Sequence, residues 1–138
     1  MQTFLPYPDF DRSMQCLDYR RLGKQRLEAK QLMRAITEGG SWSNHPAAEM
    51  WRGYLPALAA YHDAAIREWK RRGYKNTMEL LKPKKSTIVM PPWFGDKKFH
   101  RSHQSNLVRK FPEHYRPYFP RVPDDLPYVW PSADSSHA

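Results

Sequence analysis

An all-α fold is the expectation for this chain, and three observations predict it. Residues 17–34, 46–72 and 97–110 each carry apolar side chains at helical spacing. Capping or breaking residues bound each of them. One short extended piece, 87–90, is the only stretch with strand character, so strand content should be near zero. The predicted architecture is a compact single-domain bundle over residues 1–138. It has three main helices, long loops and an irregular C-terminal segment rich in aromatics and proline.

The elements follow in order. Pro6 and Pro8 disfavour helix, so residues 1–10 read as an extended entry. Asp9 or Asp11 can cap a helix over about 12–38, which Gly23 should kink or break and Gly39-Gly40 should end. Within it, Leu22, Ala29, Met33 and Ile36 fall on one side with Leu32 at the flank. Arg21, Lys24, Glu28 and Gln31 line one polar stripe, and Arg26, Lys30 and Arg34 another. Asn44 or His45 can cap a second helix with Pro46 in its first turn. That helix runs to Arg72, with a kink or split at Pro56, His62 buried in its packing face and Gly73 closing it. Asn76 with Glu79 suggests a short helix over 77–81. Residues 82–98 form a long loop, Asp96 caps a helix over 97–110, and residues 132–138 should fray.

Composition narrows the class. A hydrophobic fraction of 40% and an aromatic fraction of 14% argue against disorder despite a mean hydropathy of −0.86. No apolar run approaches a membrane span, and the N-terminus lacks a signal-peptide pattern. Cys16 stands alone, which excludes an intramolecular disulfide framework and points to a reducing, cytoplasmic location. There are 23 Lys and Arg against 14 Asp and Glu, a net charge of +9. That balance suits nucleic acid, an anionic membrane surface or an acidic protein. Eight Tyr, five Trp and six Phe among the cations favour nucleic acid, because aromatic rings stack on bases or wedge between them.

Several clusters can carry chemistry. Lys24 and Glu28 are i, i+4 neighbours: a lysine crowded by Arg21 loses basicity and can act as a nucleophile while Glu28 moves protons. The competing reading is a surface ion pair worth under about 1 kcal/mol. His100 and His103 face inward beside Phe99, where they are either satisfied by hydrogen bonds or line a pocket. Their spacing permits two metal ligands, but no Cys partner or HExxH pattern accompanies it. Arg101, Ser105 and Arg109 fall on the outer side of that helix and suit phosphates or plain solvation. Asn44 and His45 at a helix start can seat a phosphate or simply cap. Trp93 is a candidate wedge, with loop packing as the alternative.

Longer motifs add a resemblance. RLGKQR (21–26), NHPA (44–47), MWRGY (50–54), PPWFG (91–95), FHRSHQSNL (99–107) and DDLPYVWP (124–131) resemble a bacterial and phage branch grouped with the pyrimidine-dimer DNA glycosylases, the endonuclease V type. Tyr19-Arg20, Leu22 and Lys24 resemble that family's first-helix motif. The run from His45 to Lys70-Arg71-Arg72-Gly73 resembles its central helix, and Tyr115, Tyr118 and Phe119 its C-terminal segment. The resemblance implies an all-α fold that kinks duplex DNA and extrudes a nucleotide. In the founding enzymes the α-amine of a processed N-terminal Thr attacks the sugar C1′ as a Schiff-base nucleophile, assisted by a Glu directly after Tyr-Arg. Here residue 2 is Gln, whose bulk should keep Met1, and Arg21 stands where that Glu would be.

The expected function is therefore base excision. The protein would be an N-glycosylase, with or without a lyase step, acting on a damaged or modified pyrimidine flipped from double-stranded DNA. It would work as a monomer without cofactor, metal or membrane. The nucleophile is Lys24, the Met1 amine or water, and Asp18 or Glu28 supplies the acid. Arg21, Asn44, His45, His100 and His103 would complete the pocket, while Arg20, Arg26, Lys30, Arg34, Arg101 and Arg109 hold phosphates. A glycosylase for a hypermodified base, a non-catalytic nucleic-acid-binding module and an enzyme for a phosphorylated small molecule are the alternatives. The reading requires the first long helix and the histidine-bearing helix to meet across one cavity.

Overall fold

Asp9 accepts a hydrogen bond from the Arg12 N–H at 2.8 Å and opens α1 (Phe10–Cys16). The chain then breaks at Leu17 and Asp18, both extended, before α2 (Tyr19–Glu38) begins. The expected interruption at Gly23 does not occur. Asp18 makes the break, because its carboxylate accepts from the Arg21 N–H and caps α2. Gly23 serves a steric purpose instead: a Cβ there would lie 3.1 Å from Trp69 Cζ3. Its absence lets α2 close on α4 (Leu55–Arg71).

The computed structural model describes residues 1–131, so the expected fraying of 132–138 lies outside the described residues. The second long helix also divides earlier than expected. α3 (Pro46–Glu49) is a single turn, and Gly53 at φ 86° reverses the chain before α4. Pro56 sits in the first turn of α4, where its missing N–H costs nothing. No helix forms over 77–81. The Asn76 side chain is bound by Arg26 and by the Met78 carbonyl, and the Leu81 and Lys82 N–H groups donate to Asp63 on α4 at 2.9 and 2.8 Å. A 3₁₀ turn at Lys85–Thr87 precedes and overlaps the expected extended piece at 87–90. Asp96 caps α5 (Lys97–Lys110) as predicted, and a further turn, α6 (Pro112–Tyr115), follows. Among the described residues there are six α-helices and no strand, so the all-α reading holds, with α2, α4 and α5 as its long members.

Leu22, Ala29 and Leu32 from α2, Leu58, Tyr61 and Ala65 from α4, and Phe99 and Leu107 from α5 share one buried apolar cluster, in which α2 packs chiefly against α4. The buried stripe of α2 also includes Gln25 and Ala35, and Met33 and Ile36 sit only half-buried at its edge. Trp93 lies in this core, with its indole N–H donating to the Met50 carbonyl at 2.8 Å. It is a packing residue and not a wedge. His62 is buried as expected and bonds Asp63 at 2.9 Å.

Through the middle runs the N-terminal segment, with Thr3, Phe4 and Leu5 buried. No neighbouring strand satisfies its backbone; side chains do. The Phe4 N–H donates to the Tyr61 hydroxyl and the Leu5 N–H to His103 Nδ1, at 2.8 and 2.9 Å. The Leu5 carbonyl accepts from His100 Nδ1 at 2.7 Å, the Pro6 carbonyl from Gln104 at 2.7 Å, and the Gln2 carbonyl from Gln25 at 3.0 Å. Three helices thus hold one extended segment in place.

Candidate active site

Beside that segment opens a cleft of about 580 Å³, within the roughly 300–1,000 Å³ usual for small-ligand sites. Phe4 and Trp69 supply apolar surface, and Arg20, Arg21, Lys24, Arg26 and Lys110 bring five cations. Glu28 is the single carboxylate among the lining residues. Tyr19, 53% exposed, stacks on Trp69 with ring centroids 5.3 Å apart and forms an aromatic edge with Tyr74. Arg26 lies over the Trp69 ring, 4.2 Å from its centroid, and donates to Asn76 at 2.8 Å. That anchoring takes Arg26 out of the free cations.

The i, i+4 ion pair of Lys24 with Glu28 does not form. Glu28 turns toward the N-terminal segment, where its Oε2 accepts from the Gln2 N–H at 3.4 Å and from Gln25 at 3.2 Å. Gln25 is held in turn by the Tyr61 hydroxyl. A second cleft of about 630 Å³ lies on the far side of Glu28, lined by Met1, Gln31, Arg34 and Trp42 among others. Glu28 is therefore a ridge between two hollows, one holding Lys24 and Lys110, the other Met1.

The remaining predicted residues fall elsewhere. His100 and His103 do not line the cleft; His103 meets the ring of Phe4, which does, with centroids 6.4 Å apart. Both ring nitrogens of His100 are engaged, Nδ1 donating to the Leu5 carbonyl and Nε2 accepting from the Gly95 N–H. Burial pushes the His103 pKa down to about 3, with His100 and Lys110 adding to it, so the ring stays neutral. These histidines belong to the support of the N-terminal segment rather than to the pocket. Asp18 is likewise structural. Burial alone would raise its pKa, but the Tyr115 hydroxyl and Arg21 outweigh that and hold it low. Ser105 is buried, not outward, and accepts from the Leu126 N–H at 3.0 Å. Arg109 donates to the Asp124 carbonyl at 3.1 Å.

His45 caps α3, its Nδ1 accepting from the Ala47 N–H at 3.0 Å. Burial, then the positive N-terminal amine, lowers its pKa. Asn44, Lys30, Arg34 and Arg101 are exposed, and Arg34 pairs with Glu38 at 3.7 Å. Sequence reasoning missed Phe4, Trp69 and Lys110 in the cleft. Gln25 did carry a signal, as a polar side chain at i+3 from Leu22 within the buried face.

The fold is all-α, and its first cleft is rimmed by cations and edged by aromatics, with one carboxylate at its ridge. More particularly, the model of the pyrimidine dimer DNA glycosylase family matches residues 1–82, and the chain belongs to that family. No curated protein and no solved structure gives a match. The matched segment holds every lining residue of the first cleft except Lys110. Among the described residues no helix is long and apolar enough to cross a membrane, and no group of three or more His, Cys, Asp or Glu side chains converges.

Proposed function

We propose that this protein is a DNA N-glycosylase that excises a damaged pyrimidine extruded from duplex DNA into the cleft between Glu28 and Trp69. The observation that carries the reading is the position of Glu28. Its carboxylate is held by the Gln2 N–H and the Gln25 amide at the edge of a cleft that also presents amines. Cleavage of the C1′–N1 bond calls for such a pair: an attacking amine or water, and a carboxylate to take and return its protons. Tyr19, exposed at the edge of the cleft and backed by Trp69, offers a face for an unstacked base, whose extrusion costs a few kcal/mol.

Arg20, Arg21 and Lys24 hold the phosphates flanking the extruded nucleotide. Lys30 and Arg34 continue the basic face along α2 beyond the first cleft. Charge spread this far along a helix suits a polymer better than a small phosphorylated ligand. The test is incubation of the full chain with a duplex carrying one site-specific cyclobutane pyrimidine dimer. Cleavage of a C1′–N1 bond at the dimer, with the freed pyrimidine still joined to its neighbour through the cyclobutane ring, is scored as an alkali-labile site at the lesion and none in undamaged duplex, and is the expected result. Tight binding to both duplexes with no labile site reduces the protein to a nucleic-acid-binding module. Release without strand scission removes the lyase step and keeps the glycosylase.

A further inference from the structure

We infer that Gln25, buried on α2, is a positioning residue that fixes the direction of the Glu28 carboxylate. This role rests on the glycosylase reading of the cleft. Gln25 is 0% exposed, and every polar atom of its amide is engaged. Its Oε1 accepts from the Tyr61 hydroxyl on α4, while Nε2 donates to the Gln2 carbonyl at 3.0 Å and to Glu28 Oε2 at 3.2 Å. The two ends of the amide cannot exchange places. A carbonyl and a carboxylate only accept, so the end that meets them is the NH2 group. Tyr61 completes the lock: its oxygen takes the Phe4 N–H at 2.8 Å, and its proton goes to Gln25.

Glu28 has a rival partner. Lys24 is its i−4 neighbour on the same helix, exposed and without an ion pair among the described residues, and opposite charges at that spacing attract. The Gln2 N–H holds Glu28 Oε2 at 3.4 Å, beyond the usual range of about 2.7–3.2 Å. Gln25 supplies the shorter bond, from an amide that α4 and the N-terminal segment already hold still. Both bonds fall on Oε2, and Oε1 is left without a hydrogen bond among the described residues. The buried side-chain atoms that lack a partner there are Asn106 Oδ1 and Tyr128 Oη, so Glu28 Oε1 keeps access to solvent. One oxygen is tethered and the other is open, the arrangement that proton transfer at a fixed position calls for.

Loss of the Gln25 donor leaves the 3.4 Å contact with Gln2 as the only hydrogen bond on Glu28, and the carboxylate then turns toward Lys24. That displacement moves the reactive oxygen without touching the cations that hold phosphate. The fold has a reserve at this point, because the Tyr61 hydroxyl can pass its proton to the Phe4 carbonyl, already 3.3 Å away. Position and stability are therefore separable at Gln25.

Gln25→Met and Gln25→Asn in the full chain test this. Met matches the length of Gln but donates nothing, and Asn keeps the amide one methylene short of Glu28. Single-turnover C1′–N1 cleavage and duplex affinity are measured on dimer-containing duplex, per folded molecule, for each variant alone and combined with Glu28→Gln. Each variant alone should cleave about 10- to 100-fold more slowly, with affinity within about twofold of the wild type. In the Glu28→Gln background the further loss should shrink to within about twofold, because Gln25 acts through that carboxylate. Should Gln25→Met fail to fold, Gln25→Asn decides by the same measures. Unchanged cleavage in the single variants overturns the role, as does a loss that persists undiminished without the Glu28 carboxylate; both leave the glycosylase reading standing. A wild-type chain that cleaves no C1′–N1 bond overturns the glycosylase reading and the role of Gln25 with it.

Discussion

Two sets of polar side chains sit on either side of Phe4, and they do opposite work. Behind it, Tyr61, His100, His103 and Gln104 are spent on the backbone of the N-terminal segment. In front, Arg20, Lys24 and Lys110 line the cleft without a carboxylate partner among the described residues. Gln25 and Glu28 join the two, since Gln25 bonds Tyr61, the Gln2 carbonyl and Glu28 together. Burial of a titratable residue near a cleft therefore does not make it catalytic. What separates the sets is whether the polar atoms already have partners.

That division predicts separable phenotypes, and the largest should come from the ridge. Glu28→Gln keeps an acceptor for the Gln2 N–H but cannot take a proton. Base release should fall by about 100- to 10,000-fold with little change in melting temperature. An equal loss of stability would place Glu28 with the buried set. Tyr61→Phe should do the reverse. It strands the Phe4 N–H and the Gln25 side chain in the core, at about 1–3 kcal/mol for each unpaired group. Urea denaturation measures that loss directly, and activity per folded molecule should suffer far less than in Glu28→Gln.

The fold was largely legible because helical periodicity and capping act locally. Asp96, Pro46 and Gly73 marked their boundaries from side-chain chemistry alone. Gly23 misled for a tertiary reason: its partner Trp69 is 46 positions away, and only their contact explains the glycine. The site was half legible. Arg21, Lys24 and Glu28 share a helical face, and that face does line the cleft. The histidines also faced inward as the wheel required, but the periodicity of α5 could not reveal that an unpaired extended segment awaited them. Lys110 stayed hidden because its neighbours Phe4 and Glu28 come from the opposite end of the chain.

Acidification separates the two sets further, through the buried side. His103 has a folded pKa of about 3, whereas an unfolded histidine titrates near 6.5. Between those values the unfolded chain binds the extra proton, so stability rises with pH across the window and is lost as pH falls through it. One such group contributes at most about 1.4 kcal/mol per pH unit. His103→Gln, which keeps an acceptor for the Leu5 N–H, should flatten the slope of unfolding free energy against pH below 6.5. An unchanged slope would mean that His103 is not the group responsible.

The smallest effect concerns how far the DNA-facing surface extends. Arg20 and Arg101 are both exposed, but Arg20 borders the cleft and Arg101 lines neither hollow. Arg101 also lies nine residues from Lys110 along α5, about 13 Å at 1.5 Å per residue. If duplex DNA tracks the cleft, Arg20 neutralises a phosphate and Arg101 sits at or past the edge of the footprint. Removing a cation that neutralises one phosphate lowers the log–log salt dependence of binding by about 0.9. Arg20→Ala should therefore take away close to one unit of slope, and Arg101→Ala less than half of that. Equal reductions would extend the binding surface along the outer face of α5 and restore Arg101 to the phosphate-binding group that the sequence suggested.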